Sequence, residues 1–185
     1  SVCNASETLI VHVNFPNRIL ANILEKLQKS GVELRVCRET EKRLENFELN
    51  NIKKAEEKDW ETEHLDLILS VKSVKSAELA VKHINNYGSK HTDSIVTENT
   101  ELAEWFMNTV DSAGVFWNAS TRFADGFRYG LGAEVGVSTG KIHARGPVGL
   151  EGLVIYKYKL YGNGQGVSRY GKNKKELLHK KIDIF

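Results

Sequence analysis

The clearest structural pattern in the chain lies in residues 65–117, which read LDLILSVKSVKSAELAVKHINNYGSKHTDSIVTENTELAEWFMNTVDSAGVFW. Short apolar runs predict strands at 65–71, 94–97 and 113–117, and amphipathic periods predict helices at 76–87 and 100–110. Gly88 suits the end of the first helix. Alternation at this spacing is typical of βαβ units, and it predicts an α/β fold with a mainly parallel sheet flanked by helices.

The segments on either side of this core extend the same pattern. Upstream, a helix is predicted at 16–30 and a short strand at 32–36, and the highly charged stretch 38–59 is interpreted as a short helix followed by a surface loop. Downstream, residues 152–161 (GLVIYKYKLY) alternate like a strand with one polar face. An isolated strand needs a partner, so we expect it to pair outside its own sheet, with another subunit.

Between these strands, residues 117–153 read WNASTRFADGFRYGLGAEVGVSTGKIHARGPVGLEGL. Eight glycines fall between residues 118 and 152, and no helix or strand period runs through the segment. Long irregular segments inside compact domains are usually functional. A disordered linker is the alternative, but the apolar residues of this segment favour an ordered loop. They are Trp117, Phe123, Phe127, Tyr129, Leu131 and Val135.

Composition narrows the class of protein. The chain has 185 residues, 41% of them hydrophobic, which is ordinary for a globular protein. Its net charge of +2 excludes a strongly basic nucleic-acid binder. No apolar run approaches the roughly 20 residues of a membrane span, and the chain does not begin with a signal-peptide pattern. Two cysteines make no disulfide framework, which favours a reducing, cytoplasmic setting.

Several pieces of the chain together resemble one enzyme family. CNASET at residues 3–8, the region 74–95, and NASTRF, DG, GLGAEVG, ST and HARGPVGLEGL in residues 118–153 stand in the order found in γ-glutamyl phosphate reductases. These are the glutamate-5-semialdehyde dehydrogenases of proline biosynthesis, relatives of the aldehyde dehydrogenases. The resemblance covers residues 2 to about 164, with gaps in 38–61.

The resemblance implies an aldehyde-dehydrogenase-like catalytic domain that reduces L-glutamyl 5-phosphate with NADPH. It implies a catalytic domain at 1–134, a return segment and oligomerisation strand at 135–164, and a polar tail at 165–185. The family's N-terminal NADPH-binding domain is absent from this chain, so we expect the C-terminal catalytic portion of a longer cytoplasmic homo-oligomer, inactive alone. Two alternatives remain: the reductase half of bifunctional pyrroline-5-carboxylate synthase, and a non-catalytic assembly module.

Cys3 is the candidate nucleophile. The cap-type residues Asn4, Ser6 and Thr8 suggest a turn or helix N-terminus beside the thiol, a setting found at reactive cysteines. Composition alone favours a buried, inert cysteine. The resemblance implies the opposite, because the family's CNAxET motif contains its nucleophile. It implies attack on the acyl phosphate, a γ-glutamyl thioester, and hydride delivery from NADPH. Cys37 is interpreted as a small apolar residue at a strand end.

The loop after strand 113–117 is the candidate substrate site. In open α/β sheets, ligands bind at the carboxyl ends of strands. Related aldehyde dehydrogenases hold the far end of the substrate here, which implies substrate-binding roles for Asn118, Ser120, Thr121, Arg122 and Arg128. Either arginine suits the substrate carboxylate, and the alternative for each is a surface or interface salt bridge.

Other polar residues have weaker signals. By spacing, Glu63 matches a glutamate that holds the nicotinamide ribose in aldehyde dehydrogenases, and its alternative is a solvated charge. His83 is interpreted as a packed structural histidine, and Arg145 as one member of a buried pair. The glycines of residues 130–136 are expected to permit close backbone packing. No histidine and cysteine spacing suggests a metal site.

Overall fold

The computed structural model describes residues 2–171 and 174–180. Within it the chain forms two compact units, Ser1–Leu153 and Val154–Phe185. The first unit holds all of the strands and helices of regular length found in the described residues.

Strands and helices alternate along the first unit. They are β1 (Thr8–His12), α1 (Asn17–Lys29), β2 (Glu33–Val36), α2 (Arg38–Leu44), β3 (Ile52–Lys54), β4 (Ile68–Val74), α3 (Ala77–Tyr87), β5 (Thr92–Ile95), α4 (Thr100–Thr109) and β6 (Gly114–Trp117). A 3₁₀ turn lies between β3 and β4 at Glu57–Trp60, and two more lie after β6 at Thr121–Phe123 and Leu150–Leu153.

The strands form two parallel sheets. The larger has the order β1-β4-β2-β3, with Thr8 opposite Ser70 and Leu34 opposite Leu69. The smaller pairs β5 with β6. The predicted parallel α/β fold with flanking helices is confirmed, but the strands that we predicted at 65–71, 94–97 and 113–117 divide between the two sheets.

One face of the larger sheet carries the main core. Leu34, Val36, Leu69 and Val71 point to helices α1 and α2, which bury Leu20, Leu24 and Leu44 against them. The period of α1 explains this, because its apolar residues recur on one face. A second cluster joins α3 and α4 through Val81, Phe106 and Val110.

The three long helices were predicted closely from the sequence. Pro16 stands at the N-cap of α1, and Gly31 follows its end at φ +87°. Ser76 caps α3 with its side chain, Gly88 ends that helix, and Asn99 caps α4. Strong periodicity combined with capping residues is the pattern that specifies a helix locally.

Two predicted strands have wrong bounds and two strands were not predicted. The strand predicted at 94–97 lies at Thr92–Ile95. The strand predicted at 65–71 begins at Ile68, and Leu65 and Leu67 are 61% and 56% exposed. Its start is fixed by pairing, since Ile68 lies opposite Glu33 at the start of β2. β1 was missed because the cap-type residues before it suggested a helix. β3 was missed because charged residues obscure a three-residue edge strand.

The second unit contains little regular structure. The strand predicted at 152–161 does not form in the single chain. Gly152 and Leu153 belong to the 3₁₀ turn Leu150–Leu153, residues 154–161 have no regular structure, and Ile155, Tyr156, Tyr158 and Leu160 are each more than 90% exposed. The predicted pairing with another subunit stays a prediction. One 3₁₀ turn lies at Val167–Arg169. Of the polar tail predicted at 165–185, residues 172–173 and 181–185 lie outside the described residues.

Candidate active site

Cys3 lies in a turn immediately before β1. The turn is closed by a 2.8 Å hydrogen bond from the Ala5 N–H to the Val2 carbonyl, and the Cys3 side chain is exposed. The predicted turn is therefore present, but the alternative of a helix N-terminus is wrong. The chain enters a strand instead, because Leu9, Ile10 and Val11 favour extended backbone.

Asn4 connects this turn to the loop after β6. Its Nδ2 donates to the Ala124 carbonyl at 2.9 Å, and its own carbonyl accepts from Thr121 Oγ1 at 2.8 Å. Arg122 Nη1 donates to Asn4 Oδ1. Asn4 is only 7% exposed. The structure thus brings the CNASET turn and the NASTRF loop together.

The loop itself is fixed at its first residue. Asn118 has φ +51°, a left-handed conformation that asparagine tolerates. Its Oδ1 accepts from the Thr97 N–H and its Nδ2 donates to the Thr97 carbonyl, both at 2.9 Å. The amide of Asn118 therefore joins the ends of β5 and β6, which commits its side chain to the backbone.

A shallow groove opens at the carboxyl ends of β5 and β6. It is lined by Val96, Thr97, Glu98, Asn118, Ala119 and Ser120. Ser120 is exposed and accepts from the Arg122 N–H at 3.2 Å, which leaves its hydroxyl proton available to a ligand. The position agrees with the general rule for ligand sites in open parallel sheets.

Both arginines of the loop already have partners. Arg128 Nη1 donates to the Arg122 carbonyl at 2.9 Å and pairs with Asp125 Oδ2 at 3.1 Å. Arg122 Nη1 donates to Asn4 Oδ1. A guanidinium has five N–H donors, so each arginine keeps donors for a further ligand.

The shape of the following loop depends on glycine. A Cβ on Gly126 would lie 2.1 Å from the Ala133 carbonyl oxygen, so no other residue fits there. Gly130 and Gly132 have open space around them but φ of +77° and +68°. The prediction that glycines in 130–136 permit close packing is wrong, since Gly136 also has nothing within 4 Å of its added Cβ. Backbone conformation is the reason for glycine at 130 and 132.

Glu63 is exposed and lies near Glu7, which directly precedes β1. Burial raises the pKa of the Glu7 carboxyl above its ordinary value, and the Glu63 carboxylate raises it further. The His64 backbone N–H donates to Glu7 and opposes both effects. No ion pair to Glu63 is found in the described part of the chain.

Cys37 directly follows the last residue of β2, as the sequence predicted, but its sulfur has polar partners that the interpretation as a small apolar residue did not include. It is the N-cap of α2, and its sulfur accepts from the Thr40 and Ser73 N–H groups, each at 3.4 Å. Burial raises the pKa of this thiol, but the hydrogen bonds from Thr40 and Ser73 outweigh burial and leave the pKa below its usual value. Ser73 belongs to β4, so local sequence could not indicate its contact with Cys37, whereas Thr40 is a local capping partner.

Two further residues were expected to have structural roles. Arg145 Nη2 pairs with Asp111 Oδ1 at 3.0 Å, but the two side chains are 23% and 33% exposed, so the pair is partly exposed and not buried as predicted. His83 is 6% exposed and packs between the rings of Trp60 and Tyr87. Burial is the largest cause that lowers the pKa of His83 to about 4, and the positive charge of Lys72 is the second.

Asn4 is the site residue that sequence reasoning missed. Its signal was present, because an asparagine amide next to a candidate nucleophile offers donors and an acceptor together. Its partners lie about 120 residues away along the chain, so the sequence could not reveal the pairing.

Among the described residues, no group of three or more His, Cys, Asp or Glu is arranged to hold a metal ion. No helix in that part of the chain is both long and apolar enough to cross a membrane.

Comparison with known proteins confirms the resemblance. No protein-family model matches the chain. It is 55% identical over 183 residues to γ-glutamyl phosphate reductase of Acetivibrio thermocellus and 53% identical over 184 residues to that of Methanococcoides burtonii. Each alignment covers 99% of this chain and 41% of the relative. The chain thus spans about 41% of the length of these relatives.

Solved structures of γ-glutamyl phosphate reductases are also similar to this chain. A crystal structure of γ-glutamyl phosphate reductase from Thermotoga maritima is 44% identical with a TM-score of 0.80, covering 89% of this chain and 39% of that one. The Saccharomyces cerevisiae enzyme is 36% identical with a TM-score of 0.51, covering 68% and 32%. The fold of this chain is that of part of such a reductase.

Proposed function

We propose that this chain, which is homologous over nearly its whole length to γ-glutamyl phosphate reductases, carries the nucleophile and substrate loop of that enzyme. The reaction is reduction of L-glutamyl 5-phosphate to L-glutamate 5-semialdehyde in the cytoplasm, as a step of proline biosynthesis. The observation that carries the proposal is the contact between the Cys3 turn and loop 118–124. It connects the turn that bears the thiol to the loop whose first residues line the groove, and attack on a substrate with a charged far end requires such an arrangement.

Cys3 is the proposed nucleophile. Its thiolate attacks the acyl carbon of the substrate, a C–S bond forms, the C–O bond to the phosphate breaks, and inorganic phosphate leaves. The Cys3 N–H is one candidate donor to the oxyanion that develops. The γ-glutamyl thioester divides one difficult reduction into two easier steps.

Loop 118–124 is the proposed anchor for the α-amino and α-carboxylate groups. Ser120 is exposed, and Thr121 and Arg122 follow it in the same turn. Arg122 and Arg128 each retain guanidinium donors after their contacts within the loop, and either gives the bidentate geometry that suits a carboxylate. The Asn118 amide keeps the groove in place rather than reaching into it.

NADPH is the proposed cofactor, and it supplies hydride to the thioester carbon when bound. The chain offers one candidate contact, since the exposed carboxylate of Glu63 suits hydrogen bonds from ribose hydroxyls. No dinucleotide fingerprint of glycines occurs in the sequence. The curated relatives are more than twice as long as this chain, and we place the phosphate-binding part of the cofactor site in their additional length.

An assembly role is a second proposal, and the exposed segment 154–161 supports it. Its alternating side chains expose Val154, Tyr156, Tyr158 and Leu160 to solvent in the single chain. A strand of this kind buries its backbone groups only by pairing. We expect it to join a sheet of a second subunit in a homo-oligomer. This role is compatible with catalysis in the intact enzyme.

Substitution of Cys3 tests the enzymatic proposal. In the complete enzyme, Cys3→Ser is expected to abolish semialdehyde formation, while Cys37→Ser is the matched control thiol. Near-normal turnover by the Cys3→Ser enzyme is incompatible with covalent catalysis at this residue.

A further inference from the structure

Asn4 is buried although it lies in a surface turn beside an exposed cysteine. Each of its side-chain polar atoms, and its backbone carbonyl, has a partner in loop 118–124. The partners are Thr121 Oγ1, Arg122 Nη1 and the Ala124 carbonyl. We refer to Asn4 and these three residues as the Asn4 clasp.

The geometry of the clasp restricts rotation of the turn. A side-chain amide with donor and acceptor both engaged can adopt one orientation only, because a flip would place like groups together. The bond from Thr121 to the Asn4 carbonyl fixes the backbone as well. Cys3 is the chain neighbour of Asn4, so contacts that hold the Asn4 backbone also limit the movement of the Cys3 backbone in the turn.

The clasp also joins the two functional parts of the proposed site. One side of the clasp is the turn that carries Cys3. The other side is loop 118–124, which is proposed to anchor the charged end of the substrate. A covalent reaction requires the distance between these parts to match the length of the substrate, with reacting atoms about 3–3.5 Å apart. Separate motion of the turn and the loop would change this distance, so that it no longer matched the length of the substrate.

We propose that Asn4 is a positioning residue, which holds Cys3 in register with the substrate loop through the Asn4 clasp. This role rests on the proposed function, because it assumes that Cys3 is the nucleophile. Arg122 contributes by orienting the Asn4 amide through Nη1, and its remaining donors stay available to the substrate. Asn4 itself does not touch the substrate.

A positioning role and a merely structural role differ in kinetics. Asn4→Leu keeps the approximate size of the side chain but removes both polar groups. In the complete enzyme we expect kcat to fall by about 100-fold, the typical cost of displacing a reacting group by about 1 Å, with KM nearly unchanged. The assay is run well below the unfolding temperature of the variant, so that lost stability does not lower the rate.

A second pair of variants covers the case in which Asn4→Leu does not fold. Thr121→Val removes the hydroxyl that holds the Asn4 carbonyl, and Thr121→Ser restores it. We expect the serine variant to recover most of the kcat that the valine variant loses. If serine performs no better than valine, or if Asn4→Leu changes KM and leaves kcat intact, the positioning role is rejected.

The Cys3→Ser enzyme is assayed alongside these variants to separate the two proposals. If Cys3→Ser retains turnover, the proposed covalent function fails, and the positioning role fails with it. If Cys3→Ser is inactive while Asn4→Leu keeps full kcat, only the positioning role fails. An inactive Cys3→Ser, a low kcat for Asn4→Leu and rescue by Thr121→Ser support both.

Discussion

The side-chain amide of Asn4 donates to the backbone carbonyl of Ala124, 120 residues further along the chain, at 2.9 Å. This bond ties the turn that bears Cys3 to the loop that follows β6. Neither piece belongs to a sheet or a long helix, so their mutual arrangement depends on side-chain contacts of this kind.

The first prediction concerns the stability of this connection. Asn4→Ala leaves the Ala124 carbonyl and the Arg122 guanidinium without their side-chain partner, whereas the bond from Thr121 to the backbone carbonyl of residue 4 is kept. We therefore expect a loss of about 1–3 kcal/mol in the free energy of unfolding. Urea denaturation followed by circular dichroism measures it. Asn108→Ala is the control, because Asn108 is exposed and makes one local bond to the Glu104 carbonyl. An equal effect of both variants would show that the Asn4 bonds add nothing to stability.

The second prediction follows from the buried ring of His83. Its folded-state pKa of about 4 lies below the ordinary 6.5, so the unfolded chain binds the proton more readily between these values. Stability is therefore complete above pH 6.5 and is lost as the pH falls toward 4, by up to about 3 kcal/mol. Denaturation curves at pH 7 and pH 4.5 measure the loss.

His83→Phe is the matched variant for that measurement. Phenylalanine preserves an aromatic ring between Trp60 and Tyr87 but does not titrate. We expect its stability to depend less on pH than that of the wild type over the same range. The same slope in both proteins would assign the acid sensitivity to other groups.

The third prediction concerns Cys37 as a helix cap. Cys37→Ser keeps an acceptor at the N-cap of α2, and serine is a favoured N-cap residue, whereas Cys37→Ala removes the acceptor. We expect Cys37→Ala to lower the free energy of unfolding by about 1 kcal/mol relative to Cys37→Ser. Denaturant titration of the two variants decides the matter, and equal stabilities would contradict the capping role.

The fourth prediction tests the cofactor contact of Glu63. In the complete enzyme, Glu63→Gln should raise the KM for NADPH and leave the KM for the acyl phosphate unchanged, because a neutral amide is a weaker acceptor for ribose hydroxyls than a carboxylate. Glu61→Gln, a nearby exposed carboxylate, is the control. If neither variant alters the KM for NADPH, Glu63 is only a solvated charge.

The sequence predicted the fold class because the helices carry their own signals. Apolar period and capping residues specify α1, α3 and α4 locally, and strands between them indicate a parallel sheet. Strand bounds depend on partners, which explains the late start of β4 at Ile68 opposite Glu33. The division into two sheets is likewise a property of pairing that no single segment contains.

Prediction of the candidate site was limited in the same way, because its contacts join residues that are distant in the sequence. The motif around Cys3 and the loop around Ser120 were both identified from residues 3–8 and 118–123, and the structure places the two segments in contact. The sequence could not indicate that Asn4 connects them or that Asn118 is committed to Thr97. It also missed the hydrogen bonds around Cys37, since Ser73 reaches that sulfur from another strand.

The most direct measurement of covalent catalysis at Cys3 is a mass-spectrometric map of the acylated enzyme. The complete enzyme is incubated with glutamate 5-semialdehyde and NADP⁺ without phosphate, so that the oxidised acyl group remains on the enzyme. We predict a γ-glutamyl adduct on the peptide that contains Cys3 and none on the peptide that contains Cys37. An active enzyme with no adduct on Cys3, or with the adduct on Cys37, would contradict the account.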